Sequence, residues 1–280
     1  MVRLFDAHNH LQDDRLAPHR DAIIRETRAA GVQAMVVNGS CEKDWPLVAR
    51  LAQENSGWVL PSFGYHPWSI HERTPEWKAV LQQQLESTPG GIGEIGLDRW
   101  KTGLDYAGQE PVFLEQLALA ADRELPASIH CLQAWGRLLE LLRQGPVPRP
   151  GFLLHSYGGP VEMIPALVKL GAYFSFPGYF MHERKARQRA AFQVVPADRL
   201  LIETDAPDQP LPEDRIRFRL EPVAGGRTPN HPANLAAVAE FLAGWLGQDL
   251  AILCSQLEEN FCRLFGTLFK SHPPRIERVE

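Results

Sequence analysis

The chain has 280 residues, 44% of them hydrophobic and 22% charged, with a formal net charge of −5. This is a globular composition, and the length suits one α/β barrel; it excludes binding of nucleic acid by bulk positive charge, so any attraction for a phosphate ester has to be local. It also excludes a membrane span, since no stretch approaches roughly 18 consecutive apolar residues, and four scattered cysteines, Cys41, Cys131, Cys254 and Cys262, read as reduced thiols of a cytoplasmic protein.

In chain order, the N-terminus MVRLFDAHNH has no signal-peptide character and enters a strand at 3–8 almost at once. Further β-rich runs are predicted at 33–39, 58–64, 90–97, 126–130, 151–155, 172–176 and 199–204. Between them lie helical patterns, such as HRDAIIRETRAAG (19–31), WPLVARLAQEN (45–55), FLEQLALAADREL (113–125) and WGRLLELLRQG (135–145). Several stop at a glycine (Gly31, Gly145, Gly171), as helix C-termini do. About eight strand–helix units imply parallel βαβ repeats closing into a (β/α)8 barrel of the TIM type. A single domain over 1–270 and a frayed tail over 271–280 are expected. The irregular stretch 206–230 is too long for an ordinary connection, and a loop over the barrel mouth is expected there.

Five of the strand segments end in a histidine or a carboxylate: DAHNH (6–10), GEIGLD (93–98), IHC (129–131), LLHS (153–156) and IETD (202–205). Strand alternation puts His8 and His10 on one face, towards the barrel interior. A lone HxH pair is as easily a core hydrogen-bonding pair. Glu94, inside an apolar run, would be costly to bury unless paired or metal-bound. With His130, His155 and Asp205 at further strand ends, the set lies on the face where barrel active sites assemble. Six nitrogen and oxygen ligands, His8, His10, Glu94, His130, His155 and Asp205, suit Zn²⁺, Mn²⁺, Fe²⁺ or Mg²⁺. Glu94 could bridge two ions, and Asp205 could be both ligand and general base. Glu203 shares the face of Asp205 one layer deeper, as a supporting partner. Cys131 faces away from the set, which argues against a nucleophilic cysteine.

These motifs, in this order and spacing, resemble the TatD family of metal-dependent deoxyribonucleases in the amidohydrolase-like superfamily. The resemblance runs through DAHNHL (6–11), GYHP (64–67), GEIGLD (93–98), Gln109 with FLEQL (113–117), HSYGG (155–159), ETDAP (203–207), NHPAN (230–234) and NFCRLF (260–265). It implies two divalent metal ions (Zn, Mn or Mg) held by the six residues above, with Glu94 and Asp205 as catalytic residues and His66 near the substrate. It implies hydrolysis of phosphodiesters, often 3′-to-5′ exonuclease action, with DNA or a small phosphoester as substrate and no membrane partner. Oligomeric state is open, with a monomer expected. Three departures stand out: Leu132 where the family carries arginine, His231 in place of glutamate in an N-E-P motif, and Ser156-Tyr157 after the strand-six histidine. Loss of that arginine removes a bidentate anion clamp, and it leaves open an alternative, hydrolysis of a small acyl ester or amide by the same metal site.

Other features have plainer readings. The basic run 182–192 is expected to be a solvated helix face rather than a phosphate track. Arg215, Arg217, Arg219 and Arg227 are candidates for phosphate contact, and the alternation Arg-Ile-Arg-Phe-Arg also suits a small surface strand. Trp68 and Trp100 should lie near the mouth, packing loops or stacking on a base.

Overall fold

The computed structural model describes residues 2–222 and 226–273. Eight parallel strands are hydrogen-bonded in sequence order: β1 (Leu4–Asn9), β2 (Val32–Asn38), β3 (Val59–Phe63), β4 (Gly91–Asp98), β5 (Ala127–Leu132), β6 (Phe152–Leu154), β7 (Ala172–Pro177) and β8 (Leu200–Glu203). Helices alternate with them: α1 (Arg20–Ala29), α2 (Trp45–Glu54), α3 (Trp77–Ser87), α4 (Tyr106–Asp122), α5 (Trp135–Gln144), α6 (Ile164–Lys169), α7 (Ala186–Ala190), α8 (Leu235–Leu246) and α9 (Leu250–Ser271). The expected eight units are therefore present as a (β/α)8 barrel. α6 and α7 are shorter than the other helices. The return from β6 carries Pro160 and Pro165, which allow a helix to start but not to extend backwards.

The seam between β8 and β1 is closed by few bonds. Asp205 N–H donates to His8 O at 3.0 Å and His10 N–H to Ala206 O at 2.7 Å. Below them the Asp6 carboxylate spans the gap, accepting from Thr204 N–H at 3.0 Å and Thr204 Oγ1 at 2.6 Å. Asp6 is fully buried, and burial pushes its carboxyl up to about 7 although the Thr204 bonds pull it down.

Alternate strand residues, among them Phe5, Val36, Leu60, Leu153, Tyr173 and Leu201, join one apolar cluster with Phe261, Leu264, Phe265 and Leu268 of α9. The last helix is thus the floor of the barrel. Asp249 caps its start and Asn260 Nδ2 donates to Ala197 O and Leu200 O, tying it to the entry of β8. The floor leaves the opposite mouth, at the strand C-termini, free for polar side chains. Of the expected tail, Ser271 ends α9, His272 is buried against Pro89 O and Pro273 O accepts from Ser56 Oγ; residues 274–280 lie outside the described residues.

Asp6→Ala should strip Thr204 of two acceptors at the seam, at a cost of about 1–3 kcal/mol per orphaned donor. The raised carboxyl means that the native state binds more protons than the unfolded chain between the ordinary 3.8 and about 7. The Asp6 contribution is therefore full below that window and shrinks as pH rises through it. Urea denaturation of both proteins at pH 5 and pH 8 measures this; equal midpoints at both pH values would refute the clamp.

Candidate metal centre and active site

Glu94 of β4 is 2% exposed and lies at the focus of five imidazoles. Its Oε2 is 3.3 Å from His8 Nε2 and 3.1 Å from His10 Nε2; its Oε1 is 2.8 Å from His155 Nε2, 3.1 Å from His130 Nδ1 and 3.4 Å from His66 Nε2. Asp205 Oδ1 closes the far side, 3.6 Å from His10 Nε2 and 3.7 Å from His8 Nε2. The structure brings together all six expected ligands, and His66 with them. Three overlapping groups have ligand atoms close enough to share an ion: His8–His155–Asp205, His8–His10–Glu94 and His66–Glu94–His130.

The partner of each outer ring nitrogen decides what the inner one presents. His10 Nδ1 is 2.8 Å from Asn38 O and His130 Nε2 is 3.0 Å from Asp98 Oδ2, both acceptors. His155 Nδ1 faces Glu203 Oε1 at 3.5 Å. An acceptor behind a ring keeps the proton of its neutral form on the outer nitrogen, which leaves the inner nitrogen as the one a metal would take, the arrangement of metal-ligating histidines. His66 is opposite: Trp68 N–H donates to its Nδ1 at 3.1 Å, so its inner Nε2 carries the proton. His8 Nδ1 is 3.1 Å from the side-chain amide of Asn38, whose Oδ1 is buried without a partner. Turning that amide would satisfy the oxygen with His8 Nδ1–H and free Nε2 as a lone pair.

The supporting elements are legible in the packing. Two glutamines on one face of α4 pin the ends of two strands. Gln109 accepts from Asp98 N–H and donates to Asp98 O, while Gln116 does the same for Tyr65. They thereby fix both the β4 end and the turn before His66. Gly93 must lack a side chain: a Cβ there would lie 2.8 Å from Ser128 Cβ and Ser62 Oγ and 2.9 Å from Asn38 Oδ1. Under His155, the hydroxyls of Ser156 and Ser175 donate to Glu203, which is fully buried. Gln209 Nε2 donates to Asp205 Oδ2 at 2.7 Å and to Ser156 Oγ at 2.6 Å.

The electrostatics follow. Burial alone would raise the Glu94 carboxyl, but the surrounding imidazoles hold it well below its ordinary range. Burial would lower His10, yet Glu94 and Asp205 carry it up to about 9; His155 is likewise raised, by Glu94 and Glu203. His8 and His66 sink to about 4 under burial. Burial lifts Asp205 to about 7. His8 Nε2 and Glu94 Oε1 are buried without a hydrogen-bond partner despite these short approaches. Two such orphaned atoms, with further imidazole nitrogens and the Asp205 carboxylate converging on the same point, fit a divalent cation, and the donor set suits Zn²⁺, Mn²⁺, Fe²⁺ or Mg²⁺.

A family model described as TatD related DNase matches residues 5–266. The chain belongs to that family. Its curated relatives include the 3′-5′ ssDNA/RNA exonuclease TatD of Escherichia coli K12, 32% identical over 272 residues, covering 95% of this chain and all of that protein. The same-named protein of Cronobacter sakazakii is 34% identical over 264 residues, 94% and 97% of the two chains. Among solved structures, the TatD homologue YjjV of Escherichia coli superposes with a TM-score of 0.84 at 27% identity, over 95% of this chain and 98% of that one. A TatD family hydrolase from Entamoeba histolytica shares the fold, with a TM-score of 0.81 at 17% identity. The chain is accordingly a TatD-type hydrolase acting on ester bonds, and membership in the family implies a divalent metal.

Within this TatD barrel the departures from the family pattern find separate explanations. Leu132 ends β5 with its side chain partly exposed, and Arg99, whose backbone N–H donates to Leu132 O, turns its guanidinium to Glu110. Lys101, on the next loop, lies 4.1 Å over the Trp68 ring. His231 is not in the site. Its Nδ1 accepts from Ala233 N–H and its Nε2 is 3.2 Å from Glu26 of α1, so it fastens the loop before α8. Tyr157 is buried and donates to Pro160 O. Cys131 is buried too, and burial drives its thiol far upward, leaving no nucleophile.

Several candidates resolve as structural. Trp68 donates its indole N–H to Asp98 Oδ2 at 2.7 Å and packs loops, while Trp100 is 58% exposed. Arg217 is held by Glu240 at 2.8 Å, and Arg215 lies 3.3 Å from Asp214. In the basic run, Arg189 is buried and donates to Phe180 O and Met181 O, against the expectation of a wholly solvated face; α7 is too short to hold it away from the core. The sequence reading assigned no role to Asp98, Asn38 or Gln209. Asp98 alone carried a signal, as a carboxylate closing the apolar run GEIGLD.

Asp98→Ala should weaken divalent-metal affinity by about 10–100-fold, because His130 loses its outer acceptor. Calorimetric titration with Zn²⁺ checks it; wild-type affinity in the variant would contradict the assignment. In wild type the same titration should tighten from pH 6 to pH 9, with protons released. His10, raised to about 9, must give up its proton to a metal. A pH-independent affinity would show that these nitrogens do not ligate.

Proposed function

We propose that the chain is a metal-dependent phosphodiesterase that shortens single-stranded nucleic acid from its 3′ end. The observation that carries this is the convergence of five imidazoles and Asp205 on Glu94, with acceptors behind His10 and His130 and a donor behind His66. The named relatives are 3′-5′ ssDNA/RNA exonucleases. Two ions are the reading that uses every donor: His8, His10 and Asp205 on one side, His130 and His155 on the other, Glu94 shared. A divalent ion bound there makes water a stronger acid and withdraws charge from phosphoryl oxygens.

The remaining work falls to side chains. Asp205, with one oxygen occupied by the Gln209 amide, would take the proton from the attacking water through its Oδ1 edge. Glu94, held ionised, is a ligand and not a base. His66 donates its Nε2–H to a non-bridging phosphate oxygen. Lys101, 4.1 Å over the Trp68 ring, and the exposed ring of Trp100 would supply local charge and a stacking face. The four cysteines are unpaired, and no helix among the described residues is long and apolar enough to cross a membrane.

End-labelled single-stranded DNA, incubated with enzyme reconstituted in Mn²⁺, Zn²⁺ or Mg²⁺, should shorten from its 3′ end, and chelation should stop it. Asp205→Asn should slow cleavage by about 10²–10⁴-fold while keeping the fold. Glu94→Ala should abolish it together with metal binding. Undiminished cutting by folded Asp205→Asn would remove the base from this scheme. Turnover of an acyl ester with no cleavage of DNA would favour the small-substrate alternative.

A further inference from the structure

Most cations at the mouth are already neutralised. Arg15 is bound by Asp13 at 2.8 Å and Asp208 at 2.7 Å, Arg99 and Arg137 share Glu110, and Arg217 is held by Glu240. One cavity, of about 370 Å³ between the loop after β7 and the loop after β8, is different. Arg184 enters it from the β7 side, and Arg219 and Arg227 from the β8 side. Glu213, paired with Arg219, is the single carboxylate among its lining residues. Tyr179 forms part of the wall and gathers charge: Arg184 lies 5.2 Å and Lys185 4.8 Å from its ring centre, and Arg184 Nη2 donates to its hydroxyl at 3.0 Å. In a chain of net charge −5, this is a local excess of positive charge beside an aromatic surface.

The cavity is also joined to the reacting centre. Asn230 in its wall donates to Thr204 O at 2.9 Å, one residue before Asp205. Pro210, also in the wall, follows Gln209, whose amide holds Asp205. The cavity and Asp205 thus share the turn over 204–210, and a strand whose terminal phosphodiester lies at Asp205 would run over that turn towards the arginines.

We propose that this cavity is a second nucleic-acid subsite, binding the phosphates of the strand on the 5′ side of the bond being cut through Arg184, Arg219 and Arg227. The inference rests on the nuclease reading above and adds where the rest of the strand lies. The Arg219–Glu213 pair is exposed on both sides; such pairs are weak, so a phosphate can replace the carboxylate at little cost.

The test uses metal-loaded full-length enzyme on a long single-stranded oligonucleotide and on a dinucleotide too short to span both subsites. R184E/R227E should raise KM for the long strand by about tenfold or more and flatten its salt dependence. KM for the dinucleotide should move far less. R143E/R149E, the same change of charge on exposed residues of α5 and the loop before β6, should reproduce neither effect. If charge reversal lowers the melting temperature, R184Q/R227Q replaces it, with a fall of about 0.7 in the log–log salt slope for each contact removed. Wild-type KM and slope in these variants overturn the subsite while leaving the nuclease reading intact. A wild-type enzyme that cuts neither substrate overturns the nuclease reading, and the subsite with it.

Discussion

The structure depends on one buried charge. Glu94 sits ionised in the barrel interior, where an unpaired carboxylate costs several kcal/mol. It is tolerable only because five imidazoles converge on it from β1, β5 and the turns after β3 and β6. The strands can bring those rings together only if the barrel closes, and closure at the β8–β1 seam rests on a handful of bonds centred on Asp6, Thr204, His8 and Asp205. Fold and site are therefore one problem: the seam residues are either metal-ligand candidates or their immediate neighbours.

The surrounding acceptors then assign roles to chemically identical rings. Asn38 O and Asp98 stand behind His10 and His130 as acceptors, Glu203 faces the outer nitrogen of His155 at 3.5 Å, and the Trp68 N–H donates to His66 Nδ1. Five histidines differ in function because of what stands behind them, which distance to Glu94 alone would not reveal. The same logic explains why Gln109 and Gln116 matter: by clasping the backbone of Asp98 and Tyr65 they fix those acceptors and donors to within a hydrogen bond.

Much of this was legible in the sequence. Strand–helix alternation with glycine stops gave eight units, because parallel strands buried on both faces must be apolar runs and a histidine or carboxylate at their ends is conspicuous. The supporting network was not legible. Asp98 meets His130 from 32 positions away, and Asn38 meets His8 from 30, across neighbouring strands whose register no local pattern encodes. For the same reason the arginines of the loop after β8 could not be sorted. Arg217 is spoken for by Glu240 on α8, while Arg219 faces the cavity, and the alternation Arg-Ile-Arg-Phe-Arg treats the two alike.

The two acids of the centre show how one pocket can support a ligand and a base. Both are buried, so desolvation lifts each. Glu94 is answered by imidazoles on both oxygens and falls well below its ordinary range. Asp205 stands at the edge of that field, near Glu94 and Glu203, whose charges oppose its own ionisation, and remains at about 7. Glu94, answered by imidazoles on both oxygens, is placed to hold cations, while Asp205 meets imidazoles through one oxygen only. Gln209 sharpens the division by donating to Asp205 Oδ2, which leaves Oδ1 as the edge turned towards His8 and His10. Because Pro210 follows directly in the cavity wall, a strand seated among the arginines would press on the same turn that orients the base.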